Sequence, residues 1–170
     1  IAIEAAFAAL NRAPGARRRF AAEDWPVLDR RIWRAEREAA AAREYRGDYR
    51  IFASDIDARA VRAARNNAVE AGVDDCVTFR RMDMREFRVG ERNGIIITNP
   101  PYGERLDNAR AAHAVARQLG LLQKRCPGWT LCAFSADMGF ERMYGRRATR
   151  RRRYYNGRIE CEYHIFEDRH

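Results

Sequence analysis

Gly94-Ile-Ile-Ile-Thr-Asn-Pro-Pro-Tyr-Gly-Glu-Arg-Leu106 is the stretch on which the fold turns. Ile95, Ile96 and Ile97 form a β-branched run with the length of a short strand, and such a run is expected to be fully buried. Pro100 and Pro101 can donate no ladder hydrogen bond, so the strand must stop at Asn99. A planar amide, two prolines and the ring of Tyr102 then sit at the carboxyl end of a strand, the edge where open α/β sheets bind ligands. A surface turn with an incidental tyrosine would use the same residues, so the flanking sequence must decide.

Upstream, residues 49–54 read as a strand closed by Asp55-Ile56-Asp57, followed by a helix over 58–71 with Val61, Ala64 and Ala68 as its apolar stripe. Asp57 suits the N-cap and Gly72 the stop. A carboxylate at the tip of such a strand can accept from both hydroxyls of a ribose, and with Asp57 used as a cap that role falls to Asp55. Residues 76–79 give a second short strand, and Met82-Asp83-Met84 a turn after it. By the same edge rule Asp83 would accept from the exocyclic amine of an adenine, with Ile56 or Met84 packed on the ring; a solvated turn aspartate is the alternative.

Downstream, a helix is expected over 108–125, ended by Pro127-Gly128, then a strand over 129–134 and a short helix over 136–144 stopped by Gly145. Arginine fills six of the eight positions from Arg146 to Arg153, and Asn156-Gly157 predicts a hairpin pairing 151–155 with 158–167. At the other end, residues 1–11 read as a helix with Ile3, Phe7 and Leu10 on one face and no capping residue in front, as if already under way. Residues 12–47 are irregular around Pro14-Gly15 and hold Arg17, Arg18, Arg19, Phe20, Trp25 and Trp33, with an alanine-rich amphipathic helix over 29–45. Strands alternating with helices and ending in a hairpin describe an α/β sheet, mostly parallel, with one antiparallel strand at its end.

The length of 170 residues corresponds to one domain. The formal net charge of +9, carried largely by arginine, favours a polyanionic partner, with nucleic acid foremost. Arg17, Arg18 and Arg19, with Arg150, Arg151, Arg152 and Arg153, are the candidate contacts to nucleic-acid phosphates. No stretch reaches the roughly 18 apolar residues of a membrane span, so a cytoplasmic protein is expected. Cys76, Cys126, Cys132 and Cys161 lack metal-binding spacing and read as reduced thiols; no metal site is expected.

An acid after one strand, an acid after the next and Asn-Pro-Pro-Tyr after a third resemble the class I S-adenosylmethionine-dependent methyltransferases. Ile1-Ala2-Ile3-Glu4-Ala5-Ala6, Ala13-Pro14-Gly15, Trp25, Ala53-Ser54-Asp55-Ile56-Asp57, Pro100-Pro101-Tyr102-Gly103-Glu104-Arg105-Leu106 and Tyr155-Asn156-Gly157-Arg158-Ile159-Glu160-Cys161 are similar to the bacterial 23S rRNA guanine-N2-methyltransferases that carry a THUMP domain. The resemblance implies a Rossmann-like methyltransferase sheet and S-adenosylmethionine as cofactor. It implies methyl transfer to the N2 amine of a guanine in ribosomal RNA, an upstream THUMP region, and a catalytic turn of Asn99, Pro100, Pro101 and Tyr102. Asp55, Ile56, Asp83, Met84 and Asn99 would hold the cofactor.

The family's first strand and its Cys-Gly-Ser-Gly-Thr loop have no counterpart here, so residues 1–170 are expected to be a single catalytic domain truncated at its N-terminus. Two readings stay open beside this one: an adenine-N6-methyltransferase, since adenine also presents an exocyclic amine, and a non-catalytic basic RNA-binding module of the same fold.

Overall fold

The computed structural model describes residues 1–45, 47, 49–90, 92–101 and 106–168. The chain forms two compact units, residues 1–81 and 82–170, each with its own apolar cluster.

In the first unit, α1 (Ala2–Leu10) and α3 (Ala58–Ala71) pack with a parallel pair of strands, β1 (Ile51–Asp55) and β2 (Val77–Arg81), in register from Ile51 opposite Val77 to Asp55 opposite Arg81. Ala6, Leu10, Val61, Ala68, Val73, Val77 and Phe79 are buried between them. The limits of α3 are those expected. Asp57 accepts from the Arg59 N–H at 2.8 Å, and Gly72 closes the helix at φ 65°, a left-handed conformation that glycine adopts without strain. α2 (Arg30–Ala42) starts on Asp29 in the same way, and Trp33 from it stacks on Phe20 with centroids 5.9 Å apart.

The second unit contains β3 (Gly94–Thr98), α4 (Leu106–Lys124), β4 (Trp129–Ser135), α5 (Phe140–Tyr144), β5 (Arg150–Asn156) and β6 (Ile159–Phe166). Its sheet runs β3-β4-β6-β5. β3 and β4 are parallel, and β6 is antiparallel to both β4 and β5. One strand is therefore reversed, as expected, but it lies inside the sheet, between β4 and β5. Leu119, Leu122, Leu131, Phe140, Tyr144 and Phe166 fill the core between this sheet and α4 and α5.

Three details depart from the expectation. Ile95 and Ile97 are 65 % and 44 % exposed, and Ile96 alone of the three packs on the core, because side chains alternate across a strand and only the Ile96 face meets the apolar cluster. The helix expected over 136–144 is shortened to Phe140–Tyr144. There the Asp137 carboxylate accepts from the Gly139 N–H at 2.7 Å, and the Ser135 hydroxyl accepts from the Asp137 N–H at 3.1 Å, side-chain bonds that compete with helix formation. The hairpin loop is Gly157-Arg158, with Asn156 already paired to Ile159. Only Gly157 of the two has positive φ, 62°, the pattern of a type II′ turn.

Candidate functional site

Asp55 is the last residue of β1 and is exposed. One carboxylate oxygen accepts from the Asp57 N–H at 2.8 Å, which turns the chain into α3. The other oxygen has no partner among the described residues, so Asp55 keeps the acceptor capacity that a ribose diol needs, while Asp57 is consumed as the cap. Ile56 is exposed beside it, and its carbonyl accepts from Arg81 Nε at 3.2 Å, pinning the turn to the end of β2.

Asp83 caps a short turn of 3-10 helix over Met84–Glu86 in the second unit. Its oxygens accept from the Arg85 N–H at 2.8 Å, from Arg85 Nε at 3.0 Å and from Arg85 Nη2 at 2.6 Å. The guanidinium, and after it the backbone bond, push the Asp83 pKa down to about 2. Its carboxylate is a permanent anion with most acceptor positions filled, so an adenine amine would share it with Arg85. Met84 packs partly on the core, which leaves Ile56 as the more open of the two apolar candidates.

The strand before the proline turn ends at Thr98, and Asn99 is exposed at its carboxyl end while Pro100 is buried. Parallel pairing with β4, from Gly94 opposite Trp129 to Thr98 opposite Ala133, fixes where that end falls. A side chain on Gly94 would overlap the Trp129 ring, so the glycine permits the close start of this pairing. Pro101 is exposed; Tyr102 lies outside the described residues.

The basic segments are largely committed to local partners. Arg17 lies against Gly72 at the end of α3 and donates to the Glu70 carbonyl at 3.5 Å, Arg18 sits over the Phe20 ring at 4.7 Å, and Arg19 pairs with Asp24. In β5, Arg150 pairs with Glu167 at 2.7 Å and Arg153 with Glu160 at 3.0 Å. Arg151 lies 3.8 Å from Glu141 and 3.7 Å from Glu162. Arg152 makes no ion pair or hydrogen bond among the described residues.

Sequence reasoning missed a buried polar hub at Gln123. Its amide nitrogen donates to the carbonyls of Trp129 (3.0 Å) and Phe166 (2.6 Å), and its oxygen accepts from the Tyr144 hydroxyl and from Arg146 Nη2 (2.8 Å). It also missed His164, 2 % exposed between Glu141 and Glu162, and the pair formed by His113 Nε2 and Asp137 at 3.1 Å. No local signal marks these groups, because each partner set is assembled from separate elements. Among the described residues no cluster of His, Cys, Asp and Glu is placed to hold a metal ion, and no helix is long and apolar enough to cross a membrane.

Comparison with known proteins accounts for this set of features. The chain matches the family model described as "RMKL-like, methyltransferase domain" over residues 1–165, which takes in both units. It is 38% identical over 167 residues to YpsC of Bacillus subtilis (strain 168), named provisionally as an RNA methyltransferase, with 98% of this chain and 43% of that protein covered. It is 34% identical over 172 residues to the ribosomal RNA large subunit methyltransferase K/L of Shewanella baltica (strain OS185), covering 98% of this chain and 24% of that protein.

Among solved structures, SMU.472, named provisionally as a methyltransferase and complexed with SAH, aligns with TM-score 0.93 and 34% identity over 99% of this chain and 45% of that one. A Listeria monocytogenes (str. 4b F2365) protein named as a predicted N6-adenine-specific DNA methylase aligns with TM-score 0.90 and 34% identity over 98% of this chain and 43% of that one. The architecture is that of the Rossmann-like methyltransferases. The chain belongs to the RMKL-like methyltransferase domain family, and it spans less than half the length of these relatives.

Proposed function

We propose that this chain is the catalytic domain of an S-adenosylmethionine-dependent methyltransferase that modifies the exocyclic N2 amine of a guanine in large-subunit ribosomal RNA. The observation that carries the reading is the end of β3, where Asn99 is exposed immediately before the buried Pro100. The relatives named as RNA and ribosomal RNA methyltransferases support the substrate class, and the SAH complex of SMU.472 supports the donor.

S-adenosylmethionine, when bound, supplies a sulfonium methyl group. The residues here suit such a group by their chemistry: Asp55 by an open oxygen for a ribose, Ile56 and Met84 by apolar surface for an adenine ring, and Asp83 by a carboxylate for the ring's amine. A ring-conjugated amine is a weak nucleophile because its lone pair is delocalised. The Asn99 side-chain oxygen and the Pro100 carbonyl can each accept one amine hydrogen, which draws the nitrogen toward tetrahedral geometry and directs its lone pair. The two prolines hold that pair of acceptors in place before substrate arrives. Tyr102, with Pro101, would stack on a base drawn out of its helix, since the target atom is unreachable while paired and stacked.

Adenine-N6 methylation is the second reading, favoured by the name of the Listeria relative and by the same acceptor geometry. The deciding measurement is mass spectrometry of nucleosides from ribosomal RNA and from DNA, each incubated with the full-length protein and isotopically labelled methyl donor. Labelled N2-methylguanosine is expected; labelled N6-methyladenine in either substrate, without it, overturns the guanine assignment. Asn99→Ala in the full-length protein is expected to lower turnover about 100-fold, as loss of an aligned polar partner in a transition state does, with the melting temperature unchanged. Turnover within a few-fold of the native protein would remove Asn99 from the mechanism.

A further inference from the structure

The register of the terminal hairpin sorts its side chains in a way that the sequence does not show. Arg150, Arg152 and Tyr154 point to one face of β5, and Arg151, Arg153 and Tyr155 to the other. On the second face, which β6 shares with the α4 and α5 core, the guanidinium groups of Arg151 and Arg153 are held by Glu141, Glu162 and Glu160. On the first face Arg150 is held by Glu167, but Arg152, opposite Tyr163, is exposed without an acidic partner among the described residues. Of four consecutive arginines, one offers an uncompensated charge.

Two positions along the same face, about 7 Å away by strand geometry, is Tyr154, 45 % exposed. Its ring is braced edge-on by Phe134 (6.2 Å, 60°) and Tyr163 (6.5 Å, 89°), neighbours contributed by β4 and β6. A fixed aromatic ring, open on one side and one side-chain step from a free guanidinium, is the combination that receives a base and its phosphate from a single strand.

We propose that this face of the β5–β6 hairpin is a platform for single-stranded RNA, on which Tyr154 stacks an unpaired base and Arg152 holds an adjacent phosphate. The proposal rests on the reading of this chain as acting on RNA, and it narrows the basic surface from seven candidate arginines to one charge beside one ring. The occupant is nucleic acid and not an acidic protein segment because the ring matches the face of a base, and the net charge of +9 favours a polyanion. An open strand is required because a base inside a duplex has no free face to offer.

The test is fluorescence anisotropy of the chain, without methyl donor, titrated with a fluorescein-labelled ten-nucleotide oligoadenylate, alone and annealed to its complement. Tyr154→Ala is expected to weaken single-strand binding about tenfold with an unchanged melting temperature, and Tyr154→Phe to retain it. Arg152→Gln is expected to reduce the slope of log affinity against log salt by about 0.7, one phosphate contact on a single strand. Arg34→Gln, which removes the same charge from an exposed pair with Glu38 on α2, should leave that slope unaltered. Native affinity in both hairpin variants, or duplex bound as tightly as single strand, overturns the platform and leaves the methyltransferase reading standing. No binding of either oligonucleotide also overturns it, while the nucleoside measurement judges the reaction independently.

Discussion

Asp55 ends β1 and Asp83 follows two residues after the end of β2, yet their bonds give them different capacities. Asp55 gives one oxygen to its own turn and keeps the other, whereas Asp83 is gripped by Arg85 through the side chain and the backbone. A carboxylate stabilised as an anion binds its proton less well when folded than when unfolded, so this pairing persists above the ordinary value of 3.8 and is lost as pH falls through about 2. A carbon-detected NMR titration of the Asp83 carboxyl should give a midpoint near 2. Arg85→Ala should raise it, since the side-chain bond is the largest cause, but not to 3.8, because the N–H of residue 85 still donates. A midpoint at 3.8 in the native chain would show that the pair is not formed in solution, and Asp83 would then be as open to an amine as Asp55 is to a diol.

At the scale of the element, legibility in the sequence followed the range of the forces. α3 could be read to the residue because its two limits, the Asp57 cap and the left-handed Gly72, are interactions within a few positions. The proline stop after β3 was legible for the same reason. The exposure of Ile95 and Ile97 was not, because it depends on what lies across each face of the sheet, which a run of isoleucines does not encode. The free arginine of β5 was hidden likewise, since the acids that pair with the others come from β6, its end and α5.

Gln123 is the extreme case: one side chain on α4 serves Trp129, Tyr144, Arg146 and Phe166, so β4, α5 and the end of β6 are tied to one helix by a group that reads as surface polar. Gln123→Ala removes this partner from the Trp129 and Phe166 carbonyls and from the buried Tyr144 hydroxyl, and an unsatisfied buried group costs about 1–3 kcal/mol. With some relaxation toward water, a total loss of about 2–4 kcal/mol in urea unfolding is expected. A loss under about 1 kcal/mol would mean that water replaces the amide and the hub is not structural.

For the molecule as a whole, the excess of positive charge makes acid an adverse condition, and His164 gives that sensitivity a definite place. Its ring stacks on Phe140 (5.0 Å) and on Phe166 (6.2 Å), and neither ring nitrogen finds a hydrogen-bond partner among the described residues. Burial lowers its pKa; Glu162 on its own strand and Glu141 on α5 oppose that, and Arg151 on β5 reinforces it. The net shift is downward, so the unfolded chain takes up the proton first. The stability contributed by neutral His164 is therefore complete above about 6.5 and declines as pH falls from there toward the folded value. This window lies above that of Asp83, so the two titrations separate. His164→Phe keeps the aromatic stack and removes two unsatisfied nitrogens, and it should equal or exceed the native chain in urea midpoint at pH 8. Between pH 7 and 5 its midpoint should fall less than that of the native chain. Parallel curves for the two proteins would show that His164 is not the group through which this fold loses stability in mild acid.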